Sequence, residues 1–300
     1  MATERGRRPA NGGRSGGRDK PAAGSRRSGS ERSGARPERG QGGRPSQGRP
    51  AERRSGQDRP RRPRDAERSE EQRRYDGPDI PEEITGKELD RTVRAQLRSL
   101  PEKLQVRVAR HLAAAGLVIE TDPKLAYEHA LAARARAGRL AIVREAVGEA
   151  AYAAGEYAEA LAELRAAKRM NGSGAYLAIM ADCERALGRP DRALSLLRNA
   201  KGDYPTEQRA EMVIVEAGAR RDRGELDAAL RCLENAPLNS SSRAPWVARL
   251  RYAYADILLA AGRKADALEW FHRTEGVDGE QLTDAAERVV ALEAELGSGD

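Results

Sequence analysis

Four times in its second half this 300-residue chain repeats a glycine, four residues and then Ala-Leu, at Gly155–Leu161, Gly188–Leu194, Gly224–Leu230 and Gly262–Leu268. The alanines of these segments, Ala160, Ala193, Ala229 and Ala267, stand 33, 36 and 38 residues apart. A fifth, partial copy puts Ala126 34 residues before Ala160. A near-constant period of this length marks one supersecondary unit used repeatedly, each copy too small to bury its apolar face without a neighbour. The local spelling then says what the unit is. From Gly86 onward the chain is rich in Ala, Leu, Arg and Glu, all good helix formers, interrupted only by short Gly or Pro breaks and without strand signals. The fold class expected is all-α, an array of helix pairs.

Each motif position has a physical reason. The glycine ends the first helix of a pair in a left-handed conformation that costs little without a Cβ. The alanine keeps the second helix close to the first, because a larger side chain at the crossing would overpack it at about 1–3 kcal/mol. Apolar residues follow at helical spacing, as in Leu161, Leu164 and Ala167 or Leu194, Leu197 and Ala200.

A period near 34 residues with this Gly, Ala and Ala placement resembles the tetratricopeptide repeat family. In the copy around Gly155, Gly148 matches the small position of the first helix, Tyr157 the aromatic opening the second, and Ala160 and Ala167 its two small sites. The next copy offers Ala181, Gly188, Ala193, Leu197 and Ala200, with Pro205 at the terminal proline and Pro190 in place of the aromatic. The third offers Ala217, Gly224, Leu226, Ala229, Leu233 and Ala236, and the fourth Ala255, Gly262, Ala267 and Phe271, with Thr274 at its last small position. The resemblance covers about residues 102–275 and implies an α-solenoid within a repeat domain of residues 84–300. A helix over about 281–296, with Leu292 and Leu296 inward, would cap its exposed end. An amphipathic helix carrying Leu89, Val93 and Leu97 and stopped by Pro101 would cap the other.

The same resemblance implies a concave inner surface, lined by the first helix of each pair, that binds a peptide or protein. Carried across, the inward positions are Arg110, Glu145, Glu149, Tyr152, Asp182, Arg185, Arg221, Tyr252 and Asp256. Relatives that clamp a partner's C-terminal carboxylates use Lys, Arg and Asn at such positions, whereas Glu145, Glu149, Asp182 and Asp256 stand here. An acidic lining with two tyrosines favours a basic partner through charge pairing and cation–π contact.

Enzyme chemistry finds no constellation in the residues. His111, His129 and His272 fall on separate helices without a ligand at i+4, and no nucleophile elbow, phosphate loop or dinucleotide fingerprint occurs outside the glycine-rich start. Glu145 and Glu149, one turn apart, read as a solvated face. Cys183 and Cys232 read as small buried hydrophobes. No catalytic residue, metal or cofactor is expected.

Residues 1–74 differ in kind. They hold 21 Arg, one Lys and ten acidic residues, a net charge of +12, with no Val, Ile, Leu or aromatic, so residues 75–300 carry 32 basic against 37 acidic residues, a net of −5. A chain with so little to bury cannot offset its conformational entropy, and residues 1–78 are expected to be a disordered Arg/Gly/Pro/Ser-rich tail. Arg outnumbers Lys 47 to 7 over the whole chain, a codon-level bias that resembles proteins of GC-rich bacterial genomes. Without an apolar start or an 18-residue apolar run, no secretion signal or membrane span is expected, and the compartment expected is cytoplasmic. The function expected is a non-enzymatic interaction scaffold that binds a protein or peptide in its groove. Its tail modulates binding by occupying that groove in cis, where linkage makes its local concentration about millimolar. The alternative is a nucleic-acid-associated protein whose tail makes nonspecific phosphate contacts.

Overall fold

The computed structural model of the chain describes residues 77–297. The expected disordered tail falls on residues outside these, except for Gly77 and Pro78. Among the described residues there are twelve helices and no strand. They are α1 (Arg91–Leu97), α2 (Glu102–Val118), α3 (Pro123–Ala137), α4 (Ala141–Ala153), α5 (Tyr157–Asn171), α6 (Leu177–Ala186), α7 (Pro190–Arg198), α8 (Thr206–Asp222), α9 (Leu226–Glu234), α10 (Pro245–Ala260), α11 (Lys264–Glu275) and α12 (Ala285–Gly297). No helix among them is long and apolar enough to cross a membrane.

The four motif glycines do what their position requires. Gly155, Gly188, Gly224 and Gly262 have φ between +72° and +78°. Behind each, the next residue's amide donates five residues back, Glu156 to Ala151, Arg189 to Glu184, Glu225 to Arg220 and Arg263 to Leu258, at 2.8–3.0 Å. One left-handed glycine thus satisfies a carbonyl at the helix end and turns the chain sharply into its partner. Pro123 and Pro190 begin α3 and α7, where a missing N–H costs nothing.

The motif alanines lie where the helices of a pair meet: Ala126, Ala160, Ala193, Ala229 and Ala267 are all fully buried. Gly148 of α4 shows how close the approach is. A Cβ there would lie 2.5 Å from Leu164 of α5, which is itself buried and has no room to retreat. The later small positions are less regular. Ala167 is buried and Thr274 is fully buried, its hydroxyl donating back to the Trp270 carbonyl at 2.8 Å. Ala200 and Ala236 instead fall past the ends of α7 and α9 and are half-buried, because these nine-residue helices stop two residues short.

Each helix packs on the next, and the first helices of successive pairs also touch, α2 on α4, α6 on α8 and α8 on α10. The apolar core is accordingly a succession of local clusters. One joins α1 to α4 around Leu97, Val108, Leu112 and Val143, another joins α4 to α6 around Leu161, Leu164 and Met180, and the largest runs from α8 to α12 around Trp246, Leu250 and Phe271. α12 buries Ala285, Val289 and Leu292 against α11 but leaves Leu296, expected to face inward, exposed near its end. At the other end Leu97 is buried, whereas Leu89 precedes α1.

Ahead of α1 a strap of irregular chain lies on the first helix pair. Gly77, at φ +75°, is seated so closely that a Cβ would meet Ala132 and His111. Arg110 donates to the carbonyls of Ile84 (2.6 Å), Pro81 (3.0 Å) and Ile80 (3.2 Å). Gly77 and Pro78 therefore belong with the folded body rather than with the tail.

Candidate functional site

The first helices α4, α6, α8 and α10 present their polar side chains along one continuous track. The Tyr152 hydroxyl of α4 donates to Asp182 of α6 at 2.6 Å. Arg185, one turn further along α6, donates back to Asp182 (2.6 Å) and across to Asp222 of α8 (2.7 Å). Arg221 of α8 pairs with Asp256 of α10, and Tyr252 of α10 is hydrogen-bonded to Asp284 before α12. Apart from the Arg185–Asp182 bond within α6, each link joins a first helix to the first helix of the following pair, or to the residues before α12, at an interval of 30 to 37 residues, close to that of the repeat itself.

Two adjoining cavities open beside this track and share Arg249. The first, about 620 Å³, is lined by Tyr152, Tyr176, Ile179, Asp182, Glu207 and Val215, among others. The second, about 560 Å³, is lined by Arg185, Ile214, Arg221, Tyr252, Asp256 and Leu282, among others. Arg249 holds its place between them through two bonds to Glu211, at 2.6 and 2.8 Å. The floors are apolar and the rims charged, the usual constitution of a site that buries a side chain and fixes its orientation.

Of the nine residues assigned to an inner surface, six line these cavities: Tyr152, Asp182, Arg185, Arg221, Tyr252 and Asp256. Three do not. Arg110 holds the strap, Glu145 is buried and accepts from Asn171 Nδ2 at 2.7 Å, and Glu149 takes the hydroxyl of Tyr176. The expectation of an open acidic lining is corrected accordingly. Asp182 and Asp222 share Arg185, and Asp256 and Glu211 pair with Arg221 and Arg249, so pairing within and across repeats cancels most of the negative charge that the sequence places there. Glu207, exposed on the rim, has no such partner among the described residues.

Sequence reasoning missed Tyr176, Arg249, Leu282 and Gly218. Gly218 has a legible signal, a glycine inside a 17-residue helix. A Cβ there would lie 2.8 Å from the Arg185 guanidinium, so the glycine lets Arg185 lie flat on α8 and reach Asp222. Tyr176 and Leu282 belong to connections between pairs, where no repeat position predicts contact.

Burial governs titration in this region. The Tyr252 hydroxyl is pushed up to about 12 by burial and by its bond to Asp284. Burial also raises the Tyr152 hydroxyl, with Asp182 adding to the effect. The Cys183 and Cys232 thiols are pushed up to about 12 and about 11 by burial, which keeps both protonated near neutrality. None of these groups is poised to exchange a proton near pH 7.

The histidines depart from the expected scatter. His111 of α2 and His129 of α3 are both buried and face one another, Nδ1 to Nδ1 at 3.2 Å, and burial lowers the His129 pKa. Among the described residues no group of three or more His, Cys, Asp or Glu is placed to hold a metal ion.

No family model matches the chain, and no significant match to a curated protein exists.

Proposed function

We propose that the helix pairs stack as a tetratricopeptide-like α-solenoid and that the protein is a non-enzymatic scaffold, binding a peptide or protein partner along α4, α6, α8 and α10. The observation that carries this reading is the pair of adjoining cavities, with apolar floors and a shared Arg249 divider, formed mainly by first helices. The linked Tyr152, Asp182, Arg185, Asp222, Arg221 and Asp256 side chains hold the rim in place before a partner arrives, which lowers the ordering cost of binding. Apolar partner side chains fill the two cavities, and a basic one meets Glu207. The tail, at +12, competes with a basic partner for Glu207 and so modulates binding.

The test is affinity purification of the full chain from its native host, with nuclease, in wild-type form and as Leu282→Glu and Glu207→Arg. Both positions are exposed at the cavities; Met170→Glu, exposed but not among the residues lining either cavity, is the control. A protein partner should be depleted roughly five- to thirtyfold by the first two variants, the effect of losing about 1–2 kcal/mol, and retained by the control. An identical partner set for all three variants would overturn the reading. Recovery of nucleic acid alone, falling steeply with salt, would favour the tail-mediated phosphate contacts that the charge of residues 1–74 makes the second reading.

A further inference from the structure

A cavity of a different character lies where α3 ends, the 138–140 turn passes and α4 begins. It has a volume of about 770 Å³ and is lined by Leu100, Arg134, Arg136, Arg139, Arg144 and Glu163, together with the short side chains and backbone of the turn. Four arginines thus line one concavity in a body, residues 75–300, whose acidic residues outnumber its basic ones. Arg134 and Arg144 share two carboxylate partners. Glu163, buried on α5, gives one oxygen to Arg134 (2.6 Å) and the other to Arg144 (2.7 Å), and Glu159 pairs with Arg134 alone.

These bonds fix two of the arginines and leave donors over. Arg144 Nε donates to the Gly138 carbonyl at 2.7 Å and its Nη1 to Glu163, leaving Nη2. Arg134 uses only Nη1, leaving Nε and Nη2. Arg139, exposed on the turn, makes no hydrogen bond or ion pair with any described residue. A guanidinium is permanently charged and offers five N–H donors in a fork. Arg134 and Arg136 also stand in the last turn of α3, where a cation offsets the carbonyl end of the helix, and Arg144 meets the Gly138 carbonyl just past it; none of this accounts for Arg139.

We propose that this cavity binds a phosphate group, as the free ion or as the head of a phosphomonoester. A tetrahedral dianion accepts from several forked donors at once, and Arg134 and Arg144 are already held for it by Glu163 and Gly138. The lining contains no aromatic ring on which a base could stack, so the recognised group is the phosphate and not a nucleobase. This site is separate from the paired cavities and stands whether or not they bind a peptide.

The test is hydrogen–deuterium exchange of the full chain, titrated at constant ionic strength with inorganic phosphate, with glycerol phosphate and with acetate. Saturable slowing in peptides spanning residues 134–145 is expected with phosphate, with glycerol phosphate or with both, and weaker slowing with acetate. Slowing with inorganic phosphate alone identifies the free ion, and slowing with the ester identifies a phosphomonoester. Arg139→Glu should weaken the response at least about tenfold and Arg139→Lys, which keeps the charge but loses the fork, by less. Arg231→Glu, exposed on α9, should leave it unchanged. The tail is common to every variant and cancels in these comparisons. The proposal is overturned by the absence of saturable slowing with either phosphate compound, or by an Arg139→Glu response equal to wild type. If Arg139→Glu alters the far-ultraviolet circular dichroism, Arg139→Ala replaces it under the same criterion.

Discussion

Glu149 shows how a residue changes meaning between sequence and structure. As one of two acids a turn apart it reads as solvated surface. In the fold, burial raises its pKa above the ordinary 4.5, the neighbouring Glu145 raises it further, and only the Tyr176 hydroxyl works the other way. A carboxyl whose folded pKa lies above its unfolded value binds more protons when folded, so its contribution to stability is greatest below about pH 4.5 and declines as pH rises through the raised value. At neutral pH the ionised group therefore opposes folding. Glu149→Gln, which keeps an oxygen for Tyr176, should raise the urea midpoint at pH 7, with the gain shrinking toward zero below pH 4.5. A lower midpoint at pH 7 would show that the charge itself is needed. Gly218 makes the complementary point, since its missing Cβ becomes meaningful only when Arg185 is seen lying across it.

At the scale of elements, the strap shows how an array of repeats ends. The first pair, α2 and α3, has no preceding pair among the described residues, and residues 77–84 lie on it around the His111–His129 contact. The strap has few amide bonds of its own; Ile84 N to Pro81 O is the one within it. Its hold comes from Arg110, whose side chain reaches three carbonyls. Arg110→Ala should therefore release the segment while the helices persist. Glutamyl endopeptidase should then cut at the exposed Glu82 and Glu83 at least about tenfold faster, because local opening, not global unfolding, governs cleavage there. An unchanged cleavage rate would mean that apolar contacts of Pro78, Ile80 and Ile84 suffice. The fold of this end was only partly legible, because a strap without a periodic pattern carries no helix or strand signal, and an arginine's carbonyl partners cannot be read from spacing.

For the body as a whole, the succession of local clusters predicts uneven stability. When each unit touches only its neighbours, stability is a sum of intrinsic and nearest-neighbour terms. Phe271 is fully buried in the cluster that joins α8 to α12. Phe271→Ala removes about 3–5 kcal/mol there. Native-state hydrogen exchange should quicken more than tenfold in α8 through α12 and change little in α2 through α5. Equal loss of protection along the whole body would show one cooperative unit and refute the nearest-neighbour picture.

The sequence by itself determined the helix pairs, their period and their closest contacts. Those features depend on interactions a few residues apart or on one short side chain recurring at each crossing, such as the positive-φ glycines at 155, 188, 224 and 262 and the buried alanines five residues after each. It also indicated six of the side chains around the paired cavities. The tertiary structure alone decided how charge is distributed over them, because an acid at Asp182 or Asp256 is neutralised by an arginine from its own or a neighbouring repeat, and the pairing depends on where long side chains meet in space. The same reason hid the arginine-lined cavity: Arg134, Arg139 and Arg144 belong to one short stretch of chain, but Glu163, which holds two of them in place, comes from the following helix.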